Sequence, residues 1–329
     1  MAEKLSYILN WPELEMGDII LTRYNDDTSR LVRRLTKSDY SHAQLYMGWG
    51  CVLHSDGDGV TSENVQRVAV ENLEDMVVLR VKYDYDFDPF ILDLFARSMV
   101  GMEYGLDEAK QLYTGKTDID GLMSNRQICT KYVAMAYAAA GLDIVSNPTR
   151  CTPQDILMSD KLERIENVVR LATPAEQELL NDGNPILESH TQRMKKLLAD
   201  VRVQTGLDIQ TFRQLMKSCE NPENDKLIIA VCENNPYFQL LEKYHELHPE
   251  EYDYDLFLEK HGEWAKDAAD QLLTTMTRNK SLYKDQYKTF DYLYKKTGSK
   301  TVLCFKKLYE TLVDDCEKRG KVFKRVLRG

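Results

Sequence analysis

A chain of 329 residues that is 43% hydrophobic and 29% charged has the composition of an ordinary globular protein, which excludes a wholly disordered polymer. The length exceeds what one hydrophobic core usually serves, so two domains are expected. A net charge of −10 excludes nucleic acid as the main partner, because counterion release needs a basic surface.

Residues 1–14 lack the continuous apolar stretch of a secretory signal. No later run approaches the roughly eighteen apolar residues of a membrane-spanning helix. The expectation is therefore a soluble chain without a transmembrane segment, cytoplasmic or delivered by a route independent of a signal peptide. The seven cysteines (51, 129, 151, 219, 232, 304 and 316) are scattered without a CxxC pair, as suits buried thiols in a reducing compartment rather than a disulfide framework.

In chain order, β-like runs come first, at residues 18–22, 42–47, 51–54 and 77–81, with turns carrying Gly and Asp between them. They predict a small antiparallel sheet. Helical patterns follow at 89–100 and 128–140, the second rich in alanine and stopped by Gly141. At Thr173-Pro174-Ala175-Glu176 a capping threonine, a proline at the first helical position and a glutamate at the third open a new region. The boundary is placed just before it, giving an α+β domain over 1–170 and an all-α domain over 171–329. Helices are predicted there near 186–201, 236–245, 252–276 and 301–326, without a repeat that would make a solenoid.

The stretch from Ser41 to His54 reads as two strands joined around Gly48-Trp49-Gly50. Strand alternation places His42, Gln44 and Tyr46 on one face, and His54 on that same face if the loop holds an odd number of residues. Two imidazoles so placed can divide labour, one taking a thiol proton and the other orienting the first. Cys129 is the candidate nucleophile. It opens the helix predicted from residue 128, where free N–H groups and the helix dipole are expected to lower a thiol pKa and to stabilise an oxyanion. Tyr40 and Gln44 lie close enough in sequence to replace His54 or to donate to that oxyanion.

Gly17-Asp18-Ile-Ile-Leu, Ser41-His42, His54, Gly101-Met-Glu-Tyr104, Cys129 and Thr152-Pro153-Gln-Asp155 together resemble the permuted NlpC/P60 papain-like cysteine hydrolases, especially the YiiX-like (C92) group. The resemblance covers about half of the chain. It implies a circularly permuted papain-like antiparallel sheet with a catalytic helix, Cys129 as nucleophile, His42 as base and His54 as the third residue. Tyr104 joins Tyr40 and Gln44 as a substrate or oxyanion candidate. The implied activity is that of an amidase or peptidase working through a thioester, without a cofactor.

The spacing of His42 and His54 also resembles the lecithin:retinol acyltransferase-like branch, whose members move acyl groups between lipids and amines or hydrolyse phospholipids. The segment Ile128-Cys-Thr-Lys-Tyr132 departs from that branch's Asn-Cys-Glu-His-Phe pattern. A lysine fatty-acyltransferase or phospholipase is thus the alternative, with a peptide-like or an acyl substrate. An inactive papain-like scaffold is a third reading.

Metal readings were weighed and no metal set is assigned. Cys51 and His54 have half-site spacing for zinc, but an odd separation sends them to opposite faces of a strand. Asp56-Gly-Asp58-Gly59 lacks the later glutamate of a calcium loop. His245 and His248 share a helix face and would permit a metal, though a solvated helix end accounts for them. The aromatic residues Tyr252, Tyr254, Phe257, Trp264, Tyr283, Tyr287, Phe290, Tyr292 and Tyr294 suggest packing between helices. Six basic residues between Lys318 and Arg328 surround Val322, Phe323 and Val326, a pattern open to peripheral membrane contact or to a solvated helix end. The helical domain is also a candidate surface for a protein partner.

Overall fold

The structure, a computed structural model, describes residues 6–107, 109, 126–182, 185–233 and 235–329. The protein is α+β, with antiparallel sheets and a helical C-terminal region, and divides into two compact units, Met1–Asn184 and Pro185–Gly329. In the first unit β1 (Tyr7–Leu9), β2 (Ile19–Thr22), α1 (Asp27–Thr36), β3 (His42–Tyr46), β4 (Cys51–Asp56), β5 (Gly59–Asn64), β6 (Ala69–Val70) and β7 (Met76–Val81) precede α2 (Pro89–Ser98) and α3 (Cys129–Ala139). Then come α4 (Pro153–Leu157), β8 (Leu162–Arg164), β9 (Val169–Leu171) and α5 (Pro174–Asn181). Six strands pair in the order β5-β4-β3-β2-β7-β8, and a smaller sheet runs β6-β1-β9.

Register decides what each face carries. His42 lies opposite Thr22, Gln44 opposite both Ile20 and His54, and His54 opposite Thr61. Residues directly opposite one another share a face, so both histidines emerge together, as the alternation predicts. The connection behind this is the three-residue loop Gly48-Trp49-Gly50, all at positive φ, which Met47 N–H closes by donating to the Cys51 carbonyl at 2.8 Å. The opposite face carries Ile19, Leu21, Ala43, Leu45, Leu53 and Leu79, which are buried with Val133, Ala136 and Tyr137 of α3 in one core. Farther along the histidine face, Ile20, Tyr46, Val52 and Val78 turn apolar and meet Leu9, Val65 and Val70 in a second core. The sheet is thus buried on both sides except at the polar end of β3 and β4.

The motif residues at the domain's edges prove to be anchors for α3. The Tyr137 hydroxyl donates to the Gly17 carbonyl, and Asp18, next along, is held by Arg80 at 2.7 Å. Tyr132 donates to Ala96 of α2 at 3.1 Å. Thr130 donates to the Cys151 carbonyl at 2.7 Å, immediately before the Thr152–Asp155 capping box that opens α4. Three hydroxyls therefore fix where the helix starts.

The unit boundary falls later than the 170/171 division read from the sequence. The capped helix α5 belongs to the first unit, where Arg67 donates to the Leu179 carbonyl at 2.8 Å and Arg170 pairs with Glu176 at 2.6 Å. A capping box marks where a helix begins, not which core it joins.

The second unit comprises α6 (Pro185–Thr205), α7 (Phe212–Ser218), α8 (Pro222–Cys232), α9 (Leu240–Leu247), α10 (Tyr254–His261), α11 (Ala265–Thr297) and α12 (Lys300–Arg328). Asp225 of α8 collects the Ser299 hydroxyl and the N–H groups of Lys300 and Thr301, which neutralises the open N-terminus of α12. No described helix is long and apolar enough to cross a membrane. In the basic C-terminal helix Phe323 and Val326 are buried with Phe257, Val322 packs against them, and Arg319 is buried between Glu251 and Asp315.

Gly59 tests how tightly the strand ends are specified. It sits at φ +90°, and a Cβ there would lie 2.3 Å from the Met102 carbonyl oxygen, in a conformation that L-residues rarely adopt. Gly59→Ala is expected to lower stability by about 1–3 kcal/mol, read as a shift in the urea midpoint; an unchanged midpoint would contradict this close approach.

Candidate functional site

At the polar end of β3 and β4 a cleft of about 470 Å³ brings together His42, Gln44, His54, Tyr104 and Cys129 with Tyr24, which the sequence did not single out. His42 and His54 meet edge to face, with Nε2 of His42 and Nδ1 of His54 3.0 Å apart. The other nitrogen of His54 lies 3.5 Å from the Thr61 hydroxyl. If His42 carries its proton on Nε2, it donates to His54 Nδ1, and His54 Nε2–H can point to Thr61. That arrangement leaves the lone pair of His42 on Nδ1. Asp56 stands 3.9 Å from His54 Nδ1, too far for a hydrogen bond.

Cys129 reaches the cleft because the chain before it is stitched to the sheet. Ser55 of β4 donates to the Gln127 carbonyl at 2.9 Å, and Gln127 forms an isolated bridge with Tyr104. The thiol then lies at the first turn of α3, within reach of the Ala43 N–H and of the N–H groups of Thr130 and Cys129 itself. No hydrogen bond joins the thiol to either imidazole among the described residues, so the three groups share the cleft without being linked.

The electrostatics differ from the sequence expectation of a lowered thiol pKa. Cys129 is 4% exposed, and burial pushes its thiol up to about 11 although three N–H groups pull it down. Burial, with repulsion from His54, presses His42 down to about 3. His54 is lowered too, chiefly by burial, with Asp56 and Glu63 opposing. A preformed thiolate–imidazolium pair needs the reverse of both shifts. The resting site therefore holds a neutral thiol and neutral rings. The helix dipole acts at Cys129 but loses to desolvation.

Of the remaining candidates, Gln44 is buried at the cleft wall, with its amide 3.4 Å from the Thr22 hydroxyl. Tyr104 lines the cleft as well. Tyr40 does not. It is buried in the core that holds α3, and its phenol faces the charges of Arg164 and Arg23. Tyr24 occupies the place Tyr40 was expected to fill: part of its ring is exposed while its hydroxyl meets Thr22 and Gln44, and burial raises its pKa. Nothing in the sequence flags Tyr24 until Thr22 is known to pair with His42. Thr61 was more accessible, since a turn at Gly57-Asp58 puts it opposite His54.

Among the described residues, no three His, Cys, Asp or Glu side chains of this cleft bring their ligand atoms within 4.8 Å of one another. Cys51 lies on the other face of β4, beside Arg97. In the helical unit His245 stacks on Tyr252, and His248 on Tyr244. His248, Glu250 and Glu251 lie close enough together to share an ion, but Lys260 already pairs with Glu250, and Arg319 with Glu251.

No family model matches the chain, and no curated protein matches it. Among solved structures, the metalloprotein yiiX from Escherichia coli O157:H7 is similar at 20% identity with a TM-score of 0.30, over 46% of this chain and 96% of that one.

Two outcomes follow from the titration shifts. Alkylation of Cys129 by iodoacetamide, followed by peptide mass spectrometry, is expected to climb with pH toward a midpoint near 11, without a step between pH 5 and 8; a plateau already reached at pH 7 would contradict the neutral pair. For His42 the folded value of about 3 lies below the ordinary histidine value of 6.5, so across that window the unfolded chain binds a proton that the folded chain refuses. Stability should fall as acid is added from 6.5 toward 3, and His42→Gln should make that limb of the urea-midpoint profile shallower.

Proposed function

We propose that the first unit is a cysteine-dependent hydrolase of the circularly permuted papain-like (NlpC/P60) kind, acting on an amide carbonyl in a peptide or peptide-like substrate. The observation that carries this reading is the placement of Cys129, at a helix entrance, in one cleft with a hydrogen-bonded pair of imidazoles. A structural cysteine or a satisfied core histidine has no need of such company.

The neutral resting state assigns the roles. His42 Nδ1 accepts the Sγ proton while sulfur bonds to the substrate carbonyl carbon, so charge develops only as the bond forms. His54 Nδ1 holds the Nε2–H of the resulting imidazolium and so steadies its positive charge. The carbonyl oxygen becomes an oxyanion, for which the Gln44 amide and the Tyr24 hydroxyl, both in the cleft wall, are the proposed side-chain donors. His42 then returns the proton to the leaving nitrogen, the C–N bond breaks and a thioester to Cys129 remains. Water, deprotonated by His42, attacks that carbonyl and releases the acid and the thiol. Each proton has a named donor and acceptor, so the cycle needs no cofactor.

The cleft wall mixes polar groups, Thr28, Asp56 and Glu63, with the apolar Val32, Val68 and Leu106, so it can meet both the backbone and the side chains of a peptide-like substrate. An acyltransferase of the lecithin:retinol acyltransferase-like type and an inactive scaffold are the competing outcomes.

The full chain is to be assayed on pooled N-acyl peptides and on fatty-acyl esters. Peptide cleavage is expected, abolished in Cys129→Ala and reduced about 10²–10⁴-fold in His42→Ala, with a smaller loss in His54→Ala. Ester turnover without peptide cleavage would favour the acyltransferase; no turnover of either class would leave the scaffold.

A further inference from the structure

The helical unit holds a cavity of about 360 Å³ whose wall is mostly apolar: Leu241, Leu272, Met276, Leu308 and Leu312 contribute to it. Into this wall are set the phenols of Tyr237, Tyr283 and Tyr309, with His190 and Asn279. None of these three hydroxyls has a hydrogen-bond partner among the described residues, although Tyr237 is only 9% exposed. They are not sealed away from solvent but open onto the cavity, where they are free to donate to a ligand.

The rings are held before any ligand arrives. Tyr309 stacks on Phe290 at 5.3 Å and 15°, with Tyr283 6.2 Å away. Tyr237 is wedged against Phe212 at 5.1 Å and Phe238 at 5.4 Å. All three tyrosines line this one cavity, with the Tyr283 and Tyr309 rings 6.2 Å apart. Fixed aromatic walls carrying a few polar groups are the usual make-up of a small-molecule site, and the volume falls in the usual range.

We propose that this cavity binds an uncharged, largely apolar small molecule whose carbonyl-type oxygen accepts a hydrogen bond from the tyrosine hydroxyls of its wall. Charge is what the site cannot serve. Among the described residues the one permanent cation in its wall, Arg319, already pairs with Glu251 at 2.9 Å and Asp315 at 2.7 Å, so an anion gains little there. Among those residues no carboxylate lines the cavity to meet a cation, and burial pushes the pKa of His190 down. A pure hydrocarbon would fit the leucines yet leave the phenols unpaired. The inference concerns a different unit from the cysteine cleft and does not depend on it.

The test titrates the full chain with the uncharged naphthyl ketone 6-propionyl-2-dimethylaminonaphthalene and follows its blue-shifted fluorescence. Saturable binding with one probe per chain is expected. Tyr309→Phe keeps the stacked ring and removes one donor, and should weaken binding about 2- to 10-fold, as loss of one hydrogen bond does. Leu312→Trp fills the cavity and should weaken it at least about tenfold. Absence of saturable binding would overturn the proposal, as would an affinity unchanged in Tyr309→Phe or retained in a folded Leu312→Trp. Should Leu312→Trp fail to fold by circular dichroism, Tyr309→Phe decides alone.

Discussion

The pairing of Gln44 with His54 across β3 and β4 is the constraint from which the site follows. A shift of one residue would send His54 into the apolar core that holds Leu45 and bring Leu53 out among the polar groups. The loop Gly48-Trp49-Gly50 fixes that register with three consecutive positive φ angles. With the register set, His42 and His54 stand one diagonal step apart, close enough for nitrogen to meet nitrogen at 3.0 Å. The thiol depends on the same frame, since Ser55 of β4 anchors the strand-like approach to Cys129 and Ala43 of β3 offers it an N–H.

Burial gives this site its character. The sheet is covered on both faces, and its polar end inherits some of that dryness. Dry surroundings hold Cys129 and His42 neutral, in opposition to the helix dipole and the three N–H groups that favour a thiolate. Such a pair is less reactive toward adventitious electrophiles than an open thiolate. In the proposed reaction it would also concentrate charge development in the step where the carbon–sulfur bond forms, which is where fixed dipoles accelerate a reaction. The helical unit deals with burial differently: its one deeply buried arginine is matched by two carboxylates, and its tyrosines stand around an open volume.

Alternation, loop parity and capping signals were legible in the sequence because each is local. They gave the hairpin from His42 to His54, the start of α3 at Cys129 and the capping box at Thr173. What depends on tertiary placement was not legible. Helix α1 escaped notice because its Leu31 and Leu35 stay exposed and its sequence is dominated by charge. Tyr40 precedes β3 but turns into the core after the left-handed Lys37, while Tyr24 takes the cleft from a strand end. The sign of the Cys129 shift was missed because a helix N-terminus is visible in sequence and the burial that outweighs it is not. In the helical unit, packing was the right reading for Phe257 and Phe290, but Tyr283 lines a cavity whose existence no spacing could announce.

The claim that matters most is that a carbonyl carbon becomes bonded to one particular sulfur. Brief exposure of the full chain to an activated acyl ester, acid quench and peptide mapping would read that bond directly. The account predicts a hydroxylamine-sensitive acyl mass on the peptide containing Cys129, missing when His42 is replaced. Acyl groups spread over several cysteines, or a Cys129 peptide that stays unmodified while others label, would contradict it.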